Sequence, residues 1–273
     1  VKYTFYCEDP TGKHTSVFGT PLRRIHCKNT KEFRKELAIN KSKKLFESDL
    51  NPVFQCLAEN YLNRDAPKLQ VCYFDIETDF DPNRFFAPPD DPFMPITAIT
   101  VYLQWLDALI TLALPPRTLT MEEAKDMCSE WGNDVVLFDS ESEMLDTFLN
   151  LIQDADVLSG WNSEGYDIPY TVNRIARVLS KNDTRRLCWW DQLPKKREYE
   201  RYGKTATTFD LSGRIHVDSL ELYRKYTYEE RHSYSLDSIG EYELGERKTA
   251  YEGTLDQLYN NDFRTFIEYN RQD

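Results

Sequence analysis

The chain has 273 residues, 40% of them hydrophobic, 14% aromatic and 29% charged, and its 46 Asp and Glu against 34 Lys and Arg leave a formal net charge of −12. That composition excludes intrinsic disorder and allows core for two domains; no apolar run approaches the roughly 18 residues of a membrane span, and the opening VKYTFYCEDP lacks the order of a signal peptide. The expected compartment is therefore cytoplasmic, and the six dispersed cysteines, with no CxxC pair among them, are expected as reduced thiols rather than as disulfides or zinc ligands.

Residues 1–28 read as short strands separated by the turn signals EDPTGK and FGTP. Asn29 or Thr30 can cap a helix running through KEFRKELAINKSKKLF, with Phe33, Leu37 and Leu45 on its apolar side. Together these make a small α+β module. Residues 1–70 carry 13 Lys and Arg against 8 Asp and Glu, whereas the rest carries 21 against 38. The change of sign, with the turn-like NRDAPKLQ, predicts a boundary that divides the chain into 1–68 and 69–273. The basic excess of the first part reads either as a solvated helix face or as a contact with nucleic acid.

Val71–Thr78 (VCYFDIET) is an apolar, β-prone run interrupted by Asp75 and Glu77. Side chains two apart on a strand share a face, so the two carboxylates stand together and repel. Either they point into solvent at a strand end or they hold a divalent cation, since Mg²⁺ and Mn²⁺ favour carboxylate oxygens. A long acidic, proline-rich loop follows, and then ITAITVYLQW and DALITLAL form a meander. Thr120 with Glu123 and Ser140 with Glu143 are capping-box signals, the first for a helix over 121–131, with the short strand DVVLFD between the two helices. Strands followed by alternating helix and strand predict an α/β domain with a mixed sheet.

In VLSGWNSEGYDIPY a strand breaks at Gly160 and a helix led by Pro169 opens just after Asp167, which reads as an N-cap or as a ligand. Residues 181–217 are basic and aromatic. The alternating TATTFDLSGRIHVD then suggests the second arm of a hairpin turning near Tyr202-Gly203. Trp189, Trp190, Tyr199 and Tyr202 could stack bases beside a phosphate backbone, or could be ordinary surface. Asp262 can cap a last helix with Phe263, Phe266 and Ile267 inward; Tyr269 and Asp273, four apart, share a face.

Taken in order, FDIET, NSEGYD and YNRQD resemble the three motifs of the DEDD (DnaQ-like) 3′→5′ exonucleases. SYSLDSIGEYELGERK and LELYRKY are similar to the proofreading region of family B DNA polymerases, those of T-even-like bacteriophages above all. The resemblance covers essentially the whole chain; Tyr166 departs from it, standing where the second motif often has Phe. It implies an RNase H-like exonuclease domain over 69–273, preceded by part of a polymerase N-terminal domain over 1–68. It implies four carboxylates, Asp75, Glu77, Asp167 and Asp273, around two Mg²⁺ or Mn²⁺ ions about 4 Å apart. By the same resemblance Asp75 would bridge both ions, Glu77 and Asp273 would complete the site of the attacking water, Asp167 would serve the ion at the leaving oxygen, and Tyr269 would orient the water.

The implied partners are single-stranded DNA with a primer 3′ end, met in part by the basic hairpin, and the palm, fingers and thumb of a polymerase in the same or a separate chain. No segment resembles the DTDS or SLYPS motifs of the palm, so no DNA synthesis is expected. The competing expectation is a catalytically idle fragment that binds single strands or other polymerase parts; a complete acid set argues for the enzyme. Asp273 falls at a helix end, where fraying and the negative end of the helix dipole disfavour a fixed carboxylate, so it is expected to be held loosely and to weaken metal binding.

Overall fold

The computed structural model describes residues 2–201 and 203–273, which fall into two compact units, Val1–Lys68 and Leu69–Asp273. In the first unit, β1 (Tyr3–Glu8), β2 (His14–Thr15), β3 (Pro21–Cys27) and β4 (Leu45–Phe46) form an antiparallel sheet of order β2-β3-β1-β4. Helix α1 (Thr30–Ile39) is capped by Asn29, whose side chain accepts the Glu32 amide, and it lays Phe33 and Leu37 on Phe5, Cys7 and Cys27. The helix is shorter than its sequence pattern suggested. It stops at Asn40, and Leu45 leaves it to pair with Cys7 in the sheet while still reaching the same apolar cluster. Helix α2 (Pro52–Tyr61) was not anticipated, although Asn51 caps it and Pro52 sits where a missing N–H costs nothing.

The second unit is built on a six-stranded mixed sheet of order β12-β9-β5-β6-β7-β8. Its strands are β5 (Val71–Thr78), β6 (Ile96–Leu103), β7 (Ala108–Ala113), β8 (Val135–Leu137), β9 (Val157–Gly160) and β12 (Ile215–Asp218). The meander β5-β6-β7 is antiparallel, whereas β9 pairs parallel with both β5 and β12, and β8 parallel with β7. Alternation along β5 decides what each face carries. Cys72, Phe74 and Ile76 enter a core with Met144, Leu145 and Phe148 of α4 (Glu141–Leu151) and Tyr170, Val172 and Ile175 of α5 (Asp167–Val178). On the opposite face, Ala98 and Ala113 leave room for Phe263, Phe266 and Ile267 of α9 (Phe263–Gln272), which Asp262 caps through the Thr265 amide.

The Thr120 box is formed in both directions, but α3 (Met121–Met127) is followed by a separate short 3-10 segment in which Gly132 takes φ 54°, so the expected single helix over 121–131 is broken. At α4 the Ser140 side chain accepts the Glu143 amide. The acid that matters there is Glu141, which takes Arg174 in a bidentate pair (2.7 and 2.6 Å) and the Ile96 amide, tying α4, α5 and β6 together.

The basic hairpin is present as β10 (Lys195–Arg201) and β11 (Lys204–Asp210), with Gly203 at φ 70°; Tyr202 lies outside the described residues. TATTFDLSGRIHVD divides between two sheets: TATTFD lies in β11, the second arm of the hairpin, and the rest leaves it. Gly213 (φ 84°) turns the chain, and Ile215–Asp218 joins the main sheet instead. Three further helices, α6 (Ser219–Tyr226), α7 (Leu236–Leu244) and α8 (Leu255–Asn261), complete the unit. All six cysteines are free, and among the described residues no helix is long and apolar enough to cross a membrane.

Candidate active site

Because Cys72, Phe74 and Ile76 are claimed by the core, Asp75 and Glu77 must face α9, and the last turn of that helix brings Asp273 to them. One carboxylate oxygen from each of Asp75, Glu77 and Asp273 lies within 4.8 Å of the others. The solvent-facing alternative for the β5 acids is therefore not what the fold adopts. Asp167 stands outside this trio at the first turn of α5, 4% exposed, and its Oδ1 accepts the Ile76 amide between the two β5 acids (3.3 Å). It is not an N-cap: Tyr166 holds that position, with no capping bond from its side chain.

Burial and crowding set the electrostatics. Asp75 is pushed up to about 7, first by burial and then by the Asp273 charge, against the pull of Lys248. Glu77 and Asp167 are raised well above the usual carboxylate range, Glu77 by burial, then Asp75 and Asp273, and Asp167 by burial, then Asp75. Asp273 is raised by burial, with Lys248 opposing.

Lys248 is the residue that sequence patterning missed. Its ammonium pairs with Asp273 and donates to the Tyr269 hydroxyl (2.9 Å); burial would lower its pKa, but these two partners raise it. Nothing in the spacing of GERKT distinguishes that lysine, because its role depends on where α9 lies. Asp273, expected to be held loosely at its helix end, is enclosed and paired. Its side chain is 5% exposed, and Arg271 anchors the same turn on Leu109 O (3.3 Å) and Asp134 O (3.1 Å). Tyr269, 9% exposed, is raised to about 12 by burial and so stays a neutral phenol at ordinary pH.

Lys195 and Lys196 of the basic hairpin are exposed, but its neighbouring cation is engaged within the protein. Arg197 is committed to Asp210 (2.9 Å) and Glu164, and Trp189 is half-buried beside Arg214. Trp190 alone of the tryptophans there is exposed, at 75%.

Two acids on the central strand of a mixed sheet, a third from a helix laid over that face and a fourth from the first turn of a helix after a parallel strand define a carboxylate site on an RNase H-like exonuclease fold. The family model for the exonuclease domain of family B DNA polymerases matches residues 22–239, and the chain belongs to that family. It is 28% identical over 96% of its length to the DNA-directed DNA polymerase of Escherichia phage RB69, covering 31% of that protein. It is 30% identical over 49% of its length to the corresponding enzyme of Enterobacteria phage T4, covering 15% of it. Against the DNA polymerase delta catalytic subunit of Schizosaccharomyces pombe the identity is 29% over 70% of the chain, covering 17% of that subunit. The chain thus spans a third or less of the length of these relatives.

Proposed function

We propose that residues 69–273 form a metal-dependent 3′→5′ exonuclease that hydrolyses the terminal phosphodiester of single-stranded DNA, releases nucleoside monophosphates and serves proofreading in a larger family B polymerase. The observation that carries this reading is the convergence of Asp75, Glu77 and Asp273 in one half-buried cluster beside Lys248 and Tyr269.

The residues fit divalent cations. Their donors are all hard carboxylate oxygens, and the Lys248 ammonium is too little positive charge for four acids this crowded. Asp75, Glu77 and Asp273 would hold one ion, and Asp75 with Asp167 a second. When bound, such ions neutralise the scissile phosphate and lower the pKa of an attacking water. The chain's own groups then position the reactants. Tyr269, neutral because its pKa is raised, offers its hydroxyl to the water as a hydrogen-bond partner rather than as a base. Lys248 fixes that hydroxyl and the Asp273 carboxylate in one arrangement, which limits the reorganisation needed on reaching the transition state. The basic hairpin is assigned to guiding the strand, with exposed Trp190 as a base-stacking surface. Residues 1–68 are assigned to a partial polymerase N-terminal domain.

The test is digestion of 5′-end-labelled single-stranded DNA. A ladder shortening one nucleotide at a time from the 3′ end in Mg²⁺ or Mn²⁺, and arrested by EDTA, is expected. DNA left intact in both metals would overturn the proposal.

A further inference from the structure

Asp167 reaches the site from a loop, Trp161–Tyr166, whose shape is imposed from outside. Asn162 takes φ 61°, a left-handed conformation uncommon for a residue with a side chain. Ser163 is fully buried, with its Oγ bonded to Gly160 O (3.2 Å) and to His216 Nε2 (2.9 Å), and its carbonyl accepts the Ile168 amide (2.9 Å). The group that joins these features is the carboxylate of Asp218, opposite Gly160 in the parallel β9–β12 pair and 7% exposed. Oδ1 accepts the amides of Asn162 (3.0 Å) and Leu220 (2.9 Å), and Oδ2 accepts the amide of Glu164 (3.0 Å).

Capping α6 requires only the Leu220 bond, and a serine would supply it equally well. A buried carboxylate spanning two amides of a loop more than fifty residues away does more than cap a helix. It adds a negative charge near Asp167, which an electrostatically optimal site would omit, so the loop contacts are its evident return. We infer that Asp218 is a positioning residue: it fixes the left-handed turn at Asn162 and the approach of Glu164, and thereby the place from which Asp167 meets β5.

This rests on the exonuclease reading above, and the test separates the two. Asp218→Ser keeps the α6 cap and loses both loop bonds. Asp218→Asn keeps the acceptor for Asn162 and Leu220 but turns an N–H₂ toward the Glu164 amide. In the full chain, kcat on single-stranded DNA should fall about tenfold or more in the serine variant and less in the asparagine variant, with KM for DNA little changed, because the loop places a catalytic group rather than binding the strand. The Mg²⁺ concentration for half-maximal rate should rise in the same order. Amide hydrogen exchange of residues 162–168 should accelerate in the serine variant while the α6 amides stay protected, a readout that needs no turnover.

A serine variant with wild-type kcat and wild-type exchange at 162–168 would show that Asp218 is only a helix cap. Equal acceleration throughout the second unit would show a general structural role instead. If the wild type itself fails to cleave DNA, the exonuclease reading falls, and the exchange data still decide whether Asp218 fixes the loop.

Discussion

At the scale of single residues, Asp75 and Glu77 oppose stability and support chemistry. Replacing both with Ala is expected to abolish the metal-dependent ladder while leaving the metal-free protein at least as resistant to thermal unfolding, since mutual repulsion is removed with the charges. A double variant that cleaves at the wild-type rate would remove these acids from the site. Tyr269→Phe deletes only a hydroxyl and should lower kcat with little change in the Mg²⁺ titration; a parallel loss of metal affinity would move Tyr269 from the water to the metal. The acids also fix a pH dependence. Asp75 titrates near 7 in the folded chain against an ordinary 3.8, so between those values the folded form holds a proton that the unfolded form has released. Stability of the metal-free protein should therefore fall as pH rises through that window, and the half-saturating Mg²⁺ concentration should fall over the same rise, because the ligands must be deprotonated. Urea titrations and metal titrations at pH 5, 6, 7 and 8 measure both slopes.

At the scale of elements, the site depends on how closely β9 lies against β5. A Cβ at Gly160 would come within 2.6 Å of the Phe74 carbonyl oxygen and 3.0 Å of Ser163 Cβ, both in parts that cannot easily move. Gly160→Ala is expected to cost about 1–3 kcal/mol in urea unfolding and to slow cleavage by shifting the Asp167 loop. Unchanged stability would mean that the strand spacing is soft. The elements legible in the sequence are those with local causes: the period-two pattern of β5, the Thr120 box, and the Asp262 cap with its apolar triplet. Those that escaped have non-local ones. Leu45 continues a helical pattern but is drawn into the sheet beside Cys7, and Ile215–Asp218 alternates like a hairpin arm yet pairs with β9. The four acids were recognisable from motif order. Their surroundings were not, because Lys248, Arg271 and Asp218 act through contacts 25, 162 and more than fifty residues away.

For the molecule as a whole, the two units differ in charge as well as in fold, and the acid cluster belongs to the second alone. Saturation with Mg²⁺ should therefore increase hydrogen-exchange protection within 69–273 and leave 1–68 unchanged. A metal at a hundred times its dissociation constant contributes about 2.7 kcal/mol, which is readily visible. Protection spread evenly over both units would contradict a site confined to one. The ion pair between Lys248 and Asp273 also bears on how the protein survives between encounters with metal. A centre built only of acids would spring apart under chelation and would have to refold around each new ion. Here a tethered cation stays in place when free ones are withdrawn, so depletion should silence the protein without unmaking it, and resupply should restore activity within the time of mixing rather than the time of folding.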